Sequence, residues 1–396
     1  MKPLQEDQRR SLGERFEQFV TDMIYDRAPD SPSARMLATF LRVLTVLFSR
    51  VVQLRFFLYR NRILRDTPLG CKVVVVGNLT VGGTGKTPVV EKMARVMASH
   101  GRKVAILSRG YKSKKEPLWR RVLRWLNLVQ RPLPRVVSDG KNVLCGSDVA
   151  GDEPYMLARN LVSCGVCVVV DRDRVYAGEY AIRRFGVDII ILDDGMQYLP
   201  LRGSINLLLV DKTNPFGNGL MLPRGILREP VEHLTRGSYI FLTKSDGKNT
   251  QPLIDKIHSY NKDVEIIECT HQPKRLCAVF GDLPDIELDE MDGRKVATFS
   301  GIATPDKFEE FVRRYGAHIT YNRRFSDHHR FTEKDLEEVF SGAMRAGVEF
   351  IVTTEKDMVR LSRDLKPPLP IYYLRLEIEI LSAHDSFESA VERICS

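Results

Sequence analysis

The chain has 396 residues and seven cysteines; 43% of its residues are apolar, 28% are charged and the formal net charge is +9. This balance excludes a disordered, collagen-like or coiled-coil protein, and the length suggests two or three globular domains. Cysteines this sparse cannot form a disulfide scaffold, so we interpret them as reduced thiols of a cytosolic protein.

The positive charge is concentrated in two apolar segments. Residues 31–65 contain seven arginines and no acidic residue, and residues 112–135 contain eight basic residues and one glutamate. The remainder of the chain is therefore slightly acidic, and we expect two local basic surfaces instead of a uniformly basic protein. Since no recognition motif accompanies the basic residues, we expect no nucleic-acid partner.

The first basic segment predicts an amphipathic N-terminal helix over residues 37–59. Arg42, Arg50 and Arg55 interrupt its apolar residues, so it lacks the unbroken run that is typical of a membrane-spanning helix. Charged residues precede it and no small-residue cleavage site is evident, which argues against a signal peptide. The pattern favours a helix in the headgroup layer of an anionic membrane, and the alternative is a helix docked on its own domain.

A glycine-rich turn follows the apolar run at 72–76, which predicts a buried strand, and precedes a predicted helix at 88–100. This strand–turn–helix order is the context of a phosphate-binding P-loop. We expect Lys86 to reach the β- and γ-phosphates of ATP and the Thr87 hydroxyl to bind Mg²⁺. Thr80 replaces the first glycine of the usual pattern. The predicted nucleotide-binding residues are Thr80, Val81, Gly82, Gly83, Thr84, Gly85, Lys86 and Thr87.

The second basic segment, residues 112–135, contains both tryptophans of the chain, Trp119 and Trp125. Apolar residues recur there at three- and four-residue spacing, which indicates a helix. Tryptophan favours the membrane–water interface, so a second membrane-contacting helix is one interpretation and a surface helix docked on its own domain is the other.

Short β-branched or leucine-rich runs predict further strands at 103–107, 166–170, 187–192, 205–210 and 239–242, separated by helices or loops. A second series begins near Arg294, with strands at 295–299 and 348–352 and helices capped by Thr304 and Thr332. Cys164 and Cys167 form a C-x-x-C, but Cys167 enters an apolar run, so burial is the preferred interpretation over redox chemistry.

These elements predict an α/β fold with a P-loop NTPase-like parallel sheet domain and a second, smaller α/β domain, preceded by the N-terminal amphipathic helix. The predicted boundaries are 1–70 for the N-terminal extension and membrane-associating helix, 71–290 for the P-loop domain and 291–396 for the smaller domain.

The run at 187–192 ends in two candidate metal ligands, Asp193 and Asp194. Ligands of open α/β sheets bind at the carboxyl ends of the strands, where these side chains are expected. Asp171 and Asp173, after the run at 166–170, are a competing pair. The sequence therefore predicts Mg²⁺ ligands at this edge, with Asp193 and Asp194 preferred.

Eight motifs in chain order resemble those of the tetraacyldisaccharide 4'-kinase family of lipid A biosynthesis, from about residue 70 to about residue 360. The P-loop alone is generic, but the ordered set is specific to the family. The motifs are GNLTVGGTGKTP (77–88), SRGY (108–111), GDEP (151–154), DDGMQ (193–197), LPRGILREP (222–230), SGI (300–302), FSDHHRF (325–331) and VTTEKD (352–357).

The resemblance implies an enzyme that uses ATP and Mg²⁺ to phosphorylate the 4'-hydroxyl of a tetraacylated glucosamine disaccharide 1-phosphate. It also implies a peripheral protein at the cytoplasmic face of the inner membrane, with this lipid and the anionic membrane surface as partners; we expect a monomer. By the same resemblance, Asp152 is the general base, His328 supports it, Lys86 and Thr87 serve the nucleotide, Asp193 and Asp194 the metal, and Arg109, Arg228 and Glu229 the substrate.

The chain departs from the family pattern at several positions. Lys112 and Ser113 follow SRGY where the family usually has two glycines, Tyr198 replaces a histidine after DDGMQ, and Ser326 replaces a proline before DHH. LPRGILREP stands in place of the usual LPAGPLREP. These changes bear on lid geometry and acyl-chain selectivity more than on the type of reaction.

Alternative interpretations remain for several of these residues. Asp152 could merely start a helix, and His328 with His329 could bind zinc. Thr243-Lys-Ser-Asp246 resembles a guanine-reading segment, which suggests a P-loop GTPase or nucleotide-gated switch. A non-enzymatic, membrane-bound scaffold is a further alternative.

Overall fold

A computed structural model describes residues 19–27, 31–110, 131–281, 283–362 and 364–396. Residues 111–130 lie outside this part of the chain, so the tryptophan-containing helix predicted within 112–135 stays a prediction.

The described strands form one 13-stranded sheet. In chain order they are β1 (Lys72–Asn78), β2 (Val104–Ser108), β3 (Arg135–Asp139), β4 (Cys167–Val170), β5 (Ile189–Asp193), β6 (Ile205–Asp211), β7 (Tyr239–Thr243), β8 (Glu265–Ala278), β9 (Ile286–Glu287), β10 (Lys295–Ser300), β11 (His318–Arg324), β12 (Phe350–Thr354) and β13 (Ile371–Ile380).

Most helices lie between these strands, as an α/β fold requires; α1 and a short helical stretch at 19–24 precede the first strand, and α10 follows the last. They are α1 (Pro32–Arg60), α2 (Lys86–Ser99), α3 (Ser147–Ala150), α4 (Asp152–Leu161), α5 (Arg174–Phe185), α6 (Gln251–Tyr260), α7 (Pro305–Arg314), α8 (Glu333–Arg345), α9 (Glu355–Met358) and α10 (His384–Cys395), with 3-10 turns at Val162–Cys164, Val231–Arg236 and Leu288–Met291.

One half of the sheet carries the predicted P-loop after β1 and is called the P-loop half. Its strand order is β8-β7-β6-β1-β5-β2-β4-β3, and all neighbouring strands are parallel except β3, which runs antiparallel to β4. Successive valines of β1 enter two different cores, Val74 and Val76 on one face and Val73 and Val75 on the other. A strand that is buried on both faces has a continuous run of apolar residues in its sequence. This is why β1 could be predicted from the sequence. The predicted α/β architecture with a P-loop sheet is confirmed.

Strand β8 connects the two series of strands. Its first residues pair in parallel with β7, and its later residues pair antiparallel with β13. Strands β13, β12, β10 and β11 then continue the sheet in parallel. The chain from 265 to 380 is thus joined to the P-loop half by continuous backbone hydrogen bonds, and the predicted domain boundary near residue 290 stays a prediction.

Two helix starts test the predicted caps. At α8, the Thr332 hydroxyl accepts from the Asp335 amide at 3.2 Å and the Asp335 carboxylate accepts from the Thr332 amide at 2.8 Å, so the predicted capping box is confirmed. At α7, Thr304 occupies the N-cap position with Pro305 after it, but its side chain makes no capping hydrogen bond. The predicted N-cap position of Thr304 is therefore confirmed, whereas the capping hydrogen bond expected from its side chain is not formed.

Helix α1 lies against the P-loop half of the molecule by one narrow face. Leu41 and Thr45 are buried, and the Thr45 hydroxyl donates to the Met221 carbonyl at 3.1 Å and accepts from the Arg224 amide at 3.1 Å. The opposite face is apolar and exposed. Although Arg42, Arg50 and Arg55 argued against a membrane-spanning helix, the helix is long and apolar enough to cross a membrane, by length and composition only. The exposed side chains include Met36, Phe40, Val43, Leu47, Val51 and Leu54.

Candidate active site

The predicted P-loop connects β1 to α2. Gly82 (φ 109°) and Gly85 (φ 79°) have left-handed backbones that favour glycine, and Gly85 is the N-cap residue of α2. No atom lies within 4 Å of the Cβ positions of Gly82 and Gly83, so the turn borders open space. A helix N-terminus facing open space through a flexible glycine turn is an arrangement that binds phosphate groups.

Asn78, the last residue of β1, explains why Thr80 can replace the usual glycine. Its side-chain amide donates to the Thr80 carbonyl at 2.9 Å and the Thr80 hydroxyl at 3.0 Å. Its Oδ1 accepts from the Lys86 ammonium at 3.2 Å. Thr80 therefore has a defined place in the turn, and the same asparagine orients Lys86.

Asp193 is the last residue of β5 and Asp194 follows it, at the carboxyl end of the strand as predicted. Burial, together with the neighbouring Glu153 and Asp194 carboxylates, raises the pKa of Asp193 to about 7. Burial tends to raise the pKa of Asp194 as well. The hydrogen bonds and charge of Arg228 and the charge of Lys86 outweigh burial and lower the pKa of Asp194 to about 2. Arg228 binds both oxygens of Asp194, at 2.9 and 3.1 Å, and Lys86 Nζ lies 3.6 Å from Oδ1. Asp194 is thus ion-paired, whereas Asp193 has no ion pair among the described residues.

The competing acidic pair is occupied by structural contacts. Asp173 accepts from the Tyr176 amide as the N-cap of α5 and from Arg131 at 2.9 Å. Asp171 lies 3.4 Å from Arg131 and accepts from the Asp173 amide. These contacts favour Asp193 and Asp194 over Asp171 and Asp173 as the residues facing a nucleotide.

The P-loop neighbourhood fits MgATP. Thr87 and Asp193 supply oxygen donors, the kind that Mg²⁺ prefers, and a protein commonly gives it only one or two carboxylates while phosphates complete the shell. In the described part of the chain, no group of three or more His, Cys, Asp or Glu side chains could hold a metal alone. The Thr84 hydroxyl, Gln197 Oε1 and Arg228 Nε are buried without a hydrogen-bond partner, which indicates a polar ligand at this position.

Glu229 is buried at the base of the site and holds neighbouring side chains. It accepts from Gln197 at 2.8 Å, from His233 at 2.8 Å and from Arg236 at 2.6 Å. Burial opposes ionisation, but these hydrogen bonds and charges lower the pKa of Glu229. Arg236 also stacks over the Phe56 ring of α1. Glu229 therefore links the nucleotide site to α1, and its carboxylate is not free to face a substrate directly.

Asp152, the first residue of α4, lies between two arginines from the other end of the chain. Arg330 NH2 donates to Oδ1 and Arg360 Nε to Oδ2, each at 2.9 Å. His328 Nδ1 is 3.6 Å from Oδ2, beyond a hydrogen bond, and Arg360 NH2 contacts the same nitrogen at 3.2 Å. The structure thus brings Asp152 and His328 together, with Arg360 between them.

Two groups of side chains can now be named: the Asp152 group is Asp152 with its neighbours His328, Arg330 and Arg360, and the P-loop group is the turn at 80–87 with Asp193, Asp194 and Arg228. Glu153 connects the two groups. Its charge acts on Asp193, and its carboxylate lies 3.4 Å from Lys356 Nζ of the VTTEKD motif. The two groups therefore belong to one region of the molecule. Arg109 is exposed after β2, and its charge acts on the buried Arg174 beside Asp193 and Asp194.

His329 has a structural role. Its Nε2 bonds Asp335 Oδ2 at 2.9 Å and its ring stacks on Phe325 at 4.9 Å between centroids. The hydrogen bond to His329 lowers the pKa of Asp335 to about 2. These contacts favour the interpretation of His329 as part of the turn before α8 over a zinc ligand.

The segment that resembles a guanine-reading motif supports the P-loop from β7. The Thr243 hydroxyl donates to the Thr84 carbonyl at 2.8 Å, and Lys244 binds Asp211 at 2.5 Å. Asp246, the residue that would read guanine, is ion-paired with Lys212. These contacts do not favour the GTPase interpretation.

Sequence reasoning missed several residues of the site, namely Asn78, Arg174, Arg330 and Arg360. The signal for Arg360 was its place three residues after Asp357, the spacing of a helical ion pair, which the structure shows at 2.8 Å. Asn78 stood beside the glycine turn, and nothing in its sequence context pointed to Lys86 as its partner.

Three comparisons agree with this geometry. A family model described as Tetraacyldisaccharide-1-P 4'-kinase matches residues 37–396. The tetraacyldisaccharide 4'-kinase of Desulfatibacillum aliphaticivorans is 36% identical over 350 residues, 87% of this chain and 89% of that protein. That of Syntrophus aciditrophicus is 36% identical over 376 residues, 92% and 94% of the two chains. A crystal structure of LpxK from Aquifex aeolicus in complex with ATP is 25% identical with a TM-score of 0.70, covering 91% of this chain and all of that one.

Proposed function

The chain belongs to the tetraacyldisaccharide 4'-kinase family, and we propose that the P-loop group and the Asp152 group together carry out its reaction. The protein is an ATP-dependent kinase of lipid A biosynthesis. The reaction transfers the γ-phosphoryl group of ATP to the 4'-hydroxyl of a tetraacylated glucosamine disaccharide 1-phosphate. The observation that supports the residue assignment is that the charges of Lys86 and of Glu153, the residue after Asp152, both act on Asp193.

At the nucleotide end, the turn from Thr80 to Gly85 and the N-terminus of α2 bind the phosphates of ATP. Lys86, held by Asn78 in this structure, neutralises charge on the β- and γ-phosphates. Thr87 and Asp193 would hold Mg²⁺, which supplies further neutralisation of the transferring phosphoryl group when bound. Asp194 keeps Lys86 and Arg228 next to the nucleotide through its ion pairs.

At the acceptor end, Asp152 accepts the proton of the sugar 4'-hydroxyl. Both of its oxygens accept from arginines in this structure, and because a carboxylate oxygen can accept two hydrogen bonds, the hydroxyl either adds to one of these contacts or replaces it. Arg330 is the partner open to replacement, because its side chain is 48% exposed whereas that of Arg360 is fully buried. Displaced from Asp152, Arg330 can meet the negative charge of a phosphate group of the substrate or nucleotide. Arg109 and Arg228 border the site from the side of β2 and β5.

The membrane assignment rests on α1. Its exposed face carries Phe40, Leu47, Val51 and Leu54, and its arginines can meet anionic headgroups. An apolar face of this length on a soluble protein needs a partner. We place this face in the cytoplasmic leaflet of the inner membrane, where the lipid substrate is collected by a monomeric, peripheral enzyme.

Asp152→Asn tests the role of the base. The substitution keeps the size of the side chain but removes the carboxylate, and the amide has one oxygen left to accept from an arginine, so turnover of the lipid should fall by about 100-fold or more while ATP binding is kept. Asp148→Asn, on the neighbouring helix α3, is the matched control and should retain turnover. Near-normal turnover of Asp152→Asn would remove Asp152 as the base.

A further inference from the structure

Arg360 lies at the point where three of the sequence motifs meet. Its side chain is fully buried and every donor group has a partner. Nε binds Asp152 at 2.9 Å, NH1 binds the Gly301 carbonyl at 3.0 Å and Asp357 at 2.8 Å, and NH2 contacts His328 Nδ1 at 3.2 Å. One guanidinium therefore connects the SGI, DHH and VTTEKD motifs to the proposed base.

The chemistry of these contacts determines the protonation of the histidine ring. A guanidinium only donates hydrogen bonds, so the ring nitrogen facing it must accept. Nδ1 of His328 is therefore unprotonated, and the proton of the neutral ring is on Nε2. Oδ2 of Asp152, 3.6 Å from the same Nδ1, is also an acceptor for Arg360. No proton is then available to be shared directly between Asp152 and His328.

The surrounding backbone makes this arrangement rigid. His328 has a left-handed backbone (φ 61°), which is costly for a non-glycine residue, and its amide donates to the Gly301 carbonyl at 3.1 Å. That carbonyl also accepts from Arg360. Asp357, itself fully buried, holds the Gly301 amide at 3.0 Å and the Thr354 hydroxyl at 2.6 Å. Arg360 and His328 are thus placed by a shared network.

We propose that Arg360 is the positioning residue of the site: it holds His328 in the Nε2–H tautomer and orients the Asp152 carboxylate. His328 then acts as a hydrogen-bond donor from Nε2, and Asp152 is left as the proton acceptor. The charged groups that face the ring are Asp152 and Arg360 at Nδ1 and Asp327, whose Oδ2 is 4.0 Å from Nε2. The effect on rate rests on the proposed function of Asp152, but the tautomer does not.

The tautomer can be read directly by NMR of the full-length protein labelled with ¹⁵N-histidine, with His328→Gln used to assign the signal. We expect the His328 signal at neutral pH to show a protonated Nε2 and an unprotonated Nδ1. A protonated Nδ1 in the neutral ring of the unmodified protein would overturn the proposal without any variant at Arg360.

Arg360→Met removes the donors at similar length, and Arg360→Lys keeps the charge without the planar fork. Both should shift the His328 signal toward a mixture of tautomers and lower kcat by about 100-fold with little change in KM for ATP. Arg360→Lys should recover less than a tenth of the loss. Arg330→Met, which removes a contact to Asp152 but none to His328, should leave the tautomer unchanged.

Two results separate this proposal from the assignment of the base. A wild-type tautomer in a folded Arg360→Met protein would contradict the positioning role. Full turnover of Asp152→Asn together with the expected tautomer would instead contradict only the assignment of Asp152. If Arg360→Met does not fold, the tautomer of the unmodified protein and of Arg360→Lys decides.

Discussion

One buried histidine, His271, packs against the phosphate-binding turn. Gly85 begins α2, and a Cβ at this position would lie 2.7 Å from His271 Cε1 of β8. Burial, together with the positive charge of Lys244, lowers the pKa of His271 to about 4. His271 is therefore neutral at pH 7 and packs as an uncharged ring against the phosphate-binding turn.

His271 should make stability depend on pH. The unfolded chain takes up a proton near pH 6.5 and the folded chain only near pH 4. The contribution is therefore fully present above about pH 6.5 and is lost as pH falls toward 4. Urea unfolding at several pH values should show this decline in the free energy of unfolding, and His271→Gln should reduce its slope. Equal slopes in both proteins would contradict the assignment.

For individual side chains, the sequence predicted the chemical role better than the contacts with other residues. Lys86, Thr87, Asp193 and Asp152 were identified because their residue types and motif positions imply a role. The partners Arg360 and Asn78 could not be, since their contacts depend on where distant parts of the chain meet. The role of Glu229 as a buried anchor for His233 and Arg236 was equally invisible.

Helix α1 combines two properties, because one of its faces docks on the protein and the opposite face is apolar and exposed. The sequence predicted the helix over 37–59 and the structure has it at Pro32–Arg60. Charge and apolar content gave no indication of which face docks. The structure resolves this through the Thr45 hydrogen bonds to Met221 and Arg224.

Neighbouring residues of α1 offer a matched pair of substitutions. Phe40 is 59% exposed and Leu41 is 7% exposed. Phe40→Glu should weaken binding to anionic vesicles, since it places a carboxylate in the proposed lipid-facing surface, with little change in stability. Leu41→Glu should instead destabilise the protein by about 2 kcal/mol or more, because it buries an unpaired charge.

Vesicle co-sedimentation and thermal unfolding of both variants would measure these effects. Unchanged vesicle binding by Phe40→Glu, combined with normal folding, would contradict the membrane assignment of this face.

Strand β8 shows why the second half of the sheet was only partly predicted. Its sequence EIIECTHQPKRLCA has only two isoleucines before a polar stretch with a proline, and lacks the longer apolar run from which β1 was predicted. Its place in the sheet comes from pairing with β7 and β13. Antiparallel pairing with a strand a hundred residues later cannot be read from local periodicity.

Across the whole molecule, a buried ion network joins the P-loop helix to the C-terminal half. Arg375 of β13 binds Glu91 of α2 and, at 2.6 Å, Glu355 of α9. Asn160 of α4 donates to both carboxylates, at 3.0 and 2.6 Å. The network connects the elements that carry the phosphate-binding turn, the proposed base and the VTTEKD motif.

Arg375→Met should therefore destabilise the whole molecule, since it leaves Glu91 and Glu355 buried without their shared cation. We expect a loss of about 3–5 kcal/mol in the free energy of unfolding. Arg275→Met is the matched control on β8, where the ion pair with Asp285 is half exposed and should contribute less than about 1 kcal/mol. Equal losses in the two variants, measured by urea unfolding, would contradict the role of the network.

The proposed function requires that this chain phosphorylate an acylated disaccharide with residues of both the P-loop group and the Asp152 group. The most direct measurement is incubation of the protein with γ-labelled ATP, Mg²⁺ and the tetraacylated disaccharide 1-phosphate in detergent micelles. We predict that the lipid becomes labelled at the 4'-position and that Asp152→Asn loses this labelling. Unlabelled ATP should reduce the labelling more strongly than unlabelled GTP. Absence of labelled lipid with the unmodified protein would contradict the proposed function.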